Sequence, residues 1–124
     1  MCIRDRHGAS TAAALSQMGK GDVVLVLVKT PYARRSMAAL KEARLKGLTT
    51  IVLTDSHSSP AMEFADHGFV VPTDSPNFFS SYTATLVLLE TMMSMLLRRA
   101  GPEAESRIND TEDQVSRLGE NWLG

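Results

Sequence analysis

The chain has 124 residues, enough for one domain. It is 44% hydrophobic and 22% charged, which excludes a disordered tail and a fibrous repeat. Thirteen Lys and Arg against fourteen Asp and Glu give a net charge of −1, so no global basic field awaits nucleic acid. One cysteine excludes a disulfide framework and a Cys-rich metal site, and fits a cytoplasmic location.

Residues 1–8 match no element. They are polar where a secretory signal needs an apolar core. The run Met1-Cys2-Ile3-Arg4-Asp5-Arg6 resembles a translated sequencing-adapter scar, so 1–8 are expected to be non-native or disordered. Ser10 to Met18 is Ala-rich and reads as a short helix capped by Ser10 and stopped by Gly19-Lys20-Gly21. Val23 to Val28 is six unbroken apolar residues, mostly β-branched. That pattern predicts a parallel strand buried on both faces.

Thr30-Pro31 then opens a helix, with Thr30 as cap and Pro31 at its first position. Met37, Leu40 and Ala43 recur at spacings of three and face the sheet, and Gly47 ends the helix. Thr49 to Thr54 is the next strand, completing a βαβ unit. Ser59-Pro60 starts a short helix that ends before Gly68, and Phe69-Val70-Val71 is a third strand.

Phe78 to Leu97 reads as the longest helix. Phe78, Tyr82, Leu86, Leu89, Met93 and Leu96 form one stripe, and Glu90 is the only charge in the run. Such a helix is buried on two sides, one against the sheet and one against a partner subunit. Its length would suit a membrane span, but its seven Ser, Thr and Glu residues argue against one. After Gly101-Pro102, residues 103–119 carry a sparse stripe of Ala104, Ile108, Val115 and Leu118, a marginal amphipathic helix that needs support.

Ligands of open α/β sheets bind at the carboxyl ends of the strands. The loop Lys29 to Ser36 sits there and leads into a helix N-terminus. Arg34 and Arg35 in the first turn oppose the helix dipole by about 0.3–1 kcal/mol each. An anion would reverse that sign, and guanidinium, hydroxyl and backbone N–H groups suit phosphate. Alternatively, both arginines point to solvent and Tyr32 packs over the strand. The second loop, Thr54 to Ser59, offers hydroxyls to a sugar or phosphate, or merely caps a helix and makes an Asx turn. Asp55 and His57 could form an acid–base pair, yet no nucleophile stands out. His7, His57 and His67 show no ligand spacing, so neither metal nor cofactor is expected.

Gly21-Asp22 with its apolar strand, Lys46-Gly47, Ile51 to Ser56, Ser59-Pro60 and Ala65-Asp66 together resemble a sugar isomerase (SIS) domain. Pro31 to Ser36 and Ser75 to Ser81 are similar to the effector domain of RpiR/MurR-family bacterial transcription regulators. The resemblance spans residues 20–100. It implies a three-layer α-β-α sandwich with a parallel sheet and flavodoxin-like topology, incomplete at its N-terminus. It divides the chain into 1–8, a partial SIS domain over 9–100, and a C-terminal helix and tail over 101–124. It implies a phosphorylated sugar effector held by Thr30, Tyr32, Arg34 and Ser36 on one wall and Thr54, Asp55, Ser56 and Ser59 on the other. It further implies a homodimer or homotetramer through helix 78–97, and DNA bound only through an N-terminal helix-turn-helix domain outside this chain. The family's usual phosphosugar loop is Ser-x-Ser-Gly-x-Thr. Here Val28 stands at the first Ser and Pro31 at the Gly. A sugar-phosphate isomerase of the same fold, with Glu90 or a residue of the missing part of the domain as base, is the rival reading, and a dimerisation module without a ligand is a third.

Overall fold

The structure, a computed structural model, describes residues 9–117. The expectations placed on residues 1–8, on Leu118 and on the tail to 124 lie outside the described residues. The chain forms two compact units, one running to Thr85 and one from Leu86.

In the first unit, helix α1 (Ala9–Ser16) precedes strand β1 (Val23–Val28), helix α2 (Arg34–Leu45) and strand β2 (Thr49–Thr54). A 3₁₀ helix (Pro60–Phe64) and strand β3 (His67–Val70) follow. The three strands are parallel in the order β1-β2-β3. Their register sets Leu25 beside Ile51 and His67, and Leu27 beside Leu53 and Phe69. This is the expected α/β class with a parallel sheet. Strand β3 begins two residues before the expected Phe69, and α1 includes Ser10 rather than starting after it.

A single strand order explains which face is covered. Crossovers between parallel strands are right-handed, so successive steps in one direction deliver both connections to the same face. Val28 and Val52 there meet Leu40 of α2 and Ala61 of the 3₁₀ helix. Leu15 of α1, Ala43 and Leu48 form a second buried group beside Val24. Gly68 lies next to Val52 in the register, and the Met62 side chain occupies the place where a Cβ would stand. Strand β1 is therefore not buried on both faces. Val23, Leu25 and Leu27 alternate outward at 52, 38 and 40% exposure, and Phe69 joins them at 39%.

The end of α2 follows its sequence. Gly47 takes φ +69°, Leu48 N–H bonds Ala43 O at 3.0 Å, and Gly47 N–H bonds Arg44 O at 3.0 Å. This is a Schellman motif, and buried Leu48 supplies its apolar contact. Thr50 and Asp66 tie the edge strand in place. Asp66 Oδ2 accepts from Thr50 N–H at 2.8 Å, while the buried Thr50 hydroxyl reaches Phe64 O at 2.6 Å and accepts from Asp66 N–H at 3.1 Å.

Two helix starts differ from expectation. The cap of α2 is Ala33, with no side-chain hydrogen bond, and Thr30-Pro31 is a cis peptide upstream of it. The long helix α3 spans Thr83–Ala100 rather than 78–97. Ser81 Oγ accepts from Thr83 N–H at 3.3 Å, a local cap that the apolar stripe conceals. Phe78 stands fully in solvent.

The second unit holds most of α3 and helix α4 (Pro102–Arg117), joined at Gly101 with φ +71°. Thr85, in the first unit, is the one buried residue of α3. Leu86, Val87, Met95 and Leu96 are each more than half exposed, so burial of α3 on two sides is not met among the described residues.

Candidate functional site

The carboxyl ends of β1 and β2 converge on a small cavity of about 60 Å³. Leu27, Val28, Lys29, Leu53, Thr54, Asp55, Thr73, Tyr82 and Thr85 line it. It has room for a few water molecules, well below the roughly 300–1,000 Å³ of a complete small-molecule site. The walls are mixed: aliphatic side chains at the base, hydroxyls around them, one carboxylate and one ammonium.

Of the expected residues, the structure brings Thr30, Thr54 and Asp55 together. Asp55 Oδ2 accepts from Thr30 N–H at 2.8 Å across 25 positions of sequence, and Oδ1 accepts from the buried Thr54 hydroxyl at 3.3 Å. Burial works to raise the Asp55 carboxyl. The Thr30 backbone N–H, then the Thr30 and Thr54 hydroxyls, outweigh it and leave the group below its ordinary value. Asp55 is thus held as a carboxylate and used to fix the β1–α2 loop.

The other expected residues lie elsewhere. Tyr32 packs against the cluster of Val28, Leu40, Val52 and Ala61. Arg34 and Arg35 are exposed in the first turn of α2, and Arg35 borders a different groove between α1 and α2. Ser36 is half-buried one residue further along. Ser56 Oγ turns back on its own loop, 2.8 Å from Ser58 Oγ and accepting Ser58 N–H at 3.1 Å. Ser59 is buried, and its hydroxyl accepts Ala61 N–H at 3.4 Å to cap the 3₁₀ helix. His57 is exposed.

Lys29 belongs to the strand-end loop singled out above but not to its expected ligands, and two further lining residues, Tyr82 and Thr85, escape a reading of those loops. Lys29 is the one cation at the cavity. It is half-buried, and its Nζ sits 5.2 Å from the centre of the Tyr82 ring. Tyr82 and Thr85 arrive from the far side, at the entry to α3. The signal for Thr85 was a hydroxyl inside an apolar run, where a buried polar side chain needs a polar neighbour. Among the described residues no three His, Cys, Asp or Glu side chains gather to hold a metal ion.

Comparison with known proteins places this geometry. The SIS-domain family model matches residues 3–95. No curated protein matches the chain. Among solved structures, the sugar isomerase domain of the RpiR transcription factor from Sphaerobacter thermophilus is similar, with TM-score 0.77 and 23% identity. The Vibrio vulnificus NanR protein, complexed with ManNAc-6P, is similar at TM-score 0.71 and 18% identity. The matches cover 87% and 89% of this chain, which spans 60% and 43% of the lengths of those two.

Proposed function

The chain belongs to the SIS-domain family, and on that premise we propose that it is the effector-binding and dimerisation domain of an RpiR-type bacterial transcription regulator, taking a phosphorylated sugar at the carboxyl ends of β1 and β2. The observation that carries this reading is the strand-end cavity. It joins one cation, Lys29, to the hydroxyls of Thr54, Thr73 and Thr85 on a fold also used by a protein complexed with a sugar phosphate. Thr30, Thr54, Asp55 and Ser56 shape the loops around it, Tyr32 and Ser59 pack and cap beneath those loops, and Arg34 and Ser36 stand on the first turn of α2 next to them. The exposed apolar side chains of α3 are the surface through which two copies associate. DNA is bound by a helix-turn-helix domain outside this sequence, and the protein works in the cytoplasm. No described helix is long and apolar enough to cross a membrane.

An isomerase needs a base at the reacting carbon. Asp55, the carboxylate at the cavity, is held below its ordinary value and is a poor one. Glu90 is exposed on α3. Calorimetry with glucose, fructose and N-acetylmannosamine 6-phosphates tests the reading, with the free sugars as controls. Binding of a phosphorylated sugar alone, without turnover, is expected. Steady conversion of an aldose phosphate would make the chain an enzyme, and silence across the panel would overturn the sensor reading.

A further inference from the structure

The first turn of α2 holds two arginines, yet neither lines the strand-end cavity. Lys29 does. The residue is half-buried, and its ammonium faces an aromatic ring rather than a carboxylate. Asp55 lines the same cavity, but its oxygens are engaged by Thr30 N–H and the Thr54 hydroxyl. Among the described residues the one ion pair is Arg107–Glu103, so Lys29 lines the opening beside the Asp55 carboxylate without pairing with it.

A cation–π contact at a part-exposed site is weaker than a charge-assisted hydrogen bond to phosphate. An anion entering the cavity therefore draws Lys29 off the Tyr82 ring. Tyr82 sits at a sensitive point of the chain. Ser81 N–H is anchored to Thr73 O at 2.9 Å, and Ser81 Oγ caps α3 through Thr83 N–H at 3.3 Å. Tyr82 lies between the anchor and the first residue of α3.

We propose that Lys29 engages the anionic group of the ligand, and that its release from the Tyr82 ring carries occupancy of the cavity to the first turn of α3. This rests on the reading that the site takes a phosphorylated sugar. It names the cation that reads the phosphate and the contact that transmits it.

The test is calorimetry on the full chain with the same three 6-phosphates and with inorganic phosphate. Lys29→Gln is expected to weaken the sugar phosphate at least tenfold, Lys29→Arg to restore it to within threefold, and Arg34→Ala to change it less than twofold. Tyr82→Leu removes the competing contact and tightens binding two- to fivefold, whereas Tyr82→Phe keeps the ring and the wild-type affinity. Thermal unfolding of each variant separates misfolding from lost binding, and the Arg rescue holds the charge requirement apart from a packing defect. Wild-type affinity in Lys29→Gln, or loss confined to Arg34→Ala, overturns the inference while the sensor reading stands. Equal affinities in Tyr82→Leu and Tyr82→Phe overturn the coupling. No binding of any probe by the wild type overturns both.

Discussion

The two faces of the β1-β2-β3 sheet contrast within single strands. On one face Val28 and Val52 are at most 4% exposed beneath Leu40 and Ala61. On the other, Val23, Leu25, Leu27 and Phe69 remain open to between 38 and 52%. Both faces are equally apolar in sequence, so composition does not distinguish them. Connectivity does, because every crossover in this strand order lands on one side. The covered face holds the fold; on the other, Leu53 at the carboxyl end of β2 is buried at 2% exposure, and the remaining side chains are surface this unit does not bury for its own stability. The largest expected effect follows from the covered face. Leu40 is fully buried at the centre of its cluster, so Leu40→Ala should cost about 2–5 kcal/mol in denaturant unfolding. A cost below 1 kcal/mol would mean that this face is no better packed than the other.

A second contrast sits at the sheet edge, where polar rather than apolar groups do the holding. Thr50→Val keeps the shape but removes the hydroxyl that accepts from Asp66 N–H and donates toward Phe64 O. It should cost about 1–2 kcal/mol. Asp66 adds an acid dependence. Thr50 N–H and hydroxyl hold its carboxyl below the ordinary value, with Arg44 and His67 assisting. A carboxyl depressed in the folded state stabilises above its unfolded value and loses that contribution as pH falls through the folded one. Unfolding midpoints of wild type and Asp66→Asn should therefore differ at neutrality and converge below about pH 4. A gap that stays constant into that range would show that the charge contributes nothing.

Sequence patterning revealed what local rules control. The β-branched runs of β1 and β2 marked both strands, and Gly47 marked the end of α2, because apolar runs and left-handed residues act over a few positions. The starts of α2 and α3 were misread for the same reason. At Thr30-Pro31 a tertiary contact overrides the helix-start signal, because Thr30 N–H is committed to Asp55; at α3 the apolar stripe from Phe78 hid the local cap that Ser81 supplies. At the site, the strand-end rule located Thr30, Thr54 and Asp55. It could not reveal that Asp55 is consumed by a partner 25 residues away. Nor could it pair Lys29 with Tyr82, which lie 53 positions apart and meet only through the return of the chain after β3.

The smallest expected effect on unfolding, and the sharpest test of the two faces, comes from Leu25. It projects from the middle of β1 on the open side at 38% exposure. Truncating it removes little that the chain buries itself, so Leu25→Ser should shift unfolding by about 0.5 kcal/mol or less. Its effect should appear in assembly. Contiguous apolar side chains on a β surface favour association, and an unpaired sheet edge adds to it. Light scattering of the wild-type chain should report a species larger than a monomer, and Leu25→Ser should move it toward the monomer. The reverse pattern, a stability loss of 2 kcal/mol or more with unchanged mass, would show that Leu25 is packed inside the protomer. The difference between the faces would then reflect only the depth of burial, with no part of the sheet left for a partner.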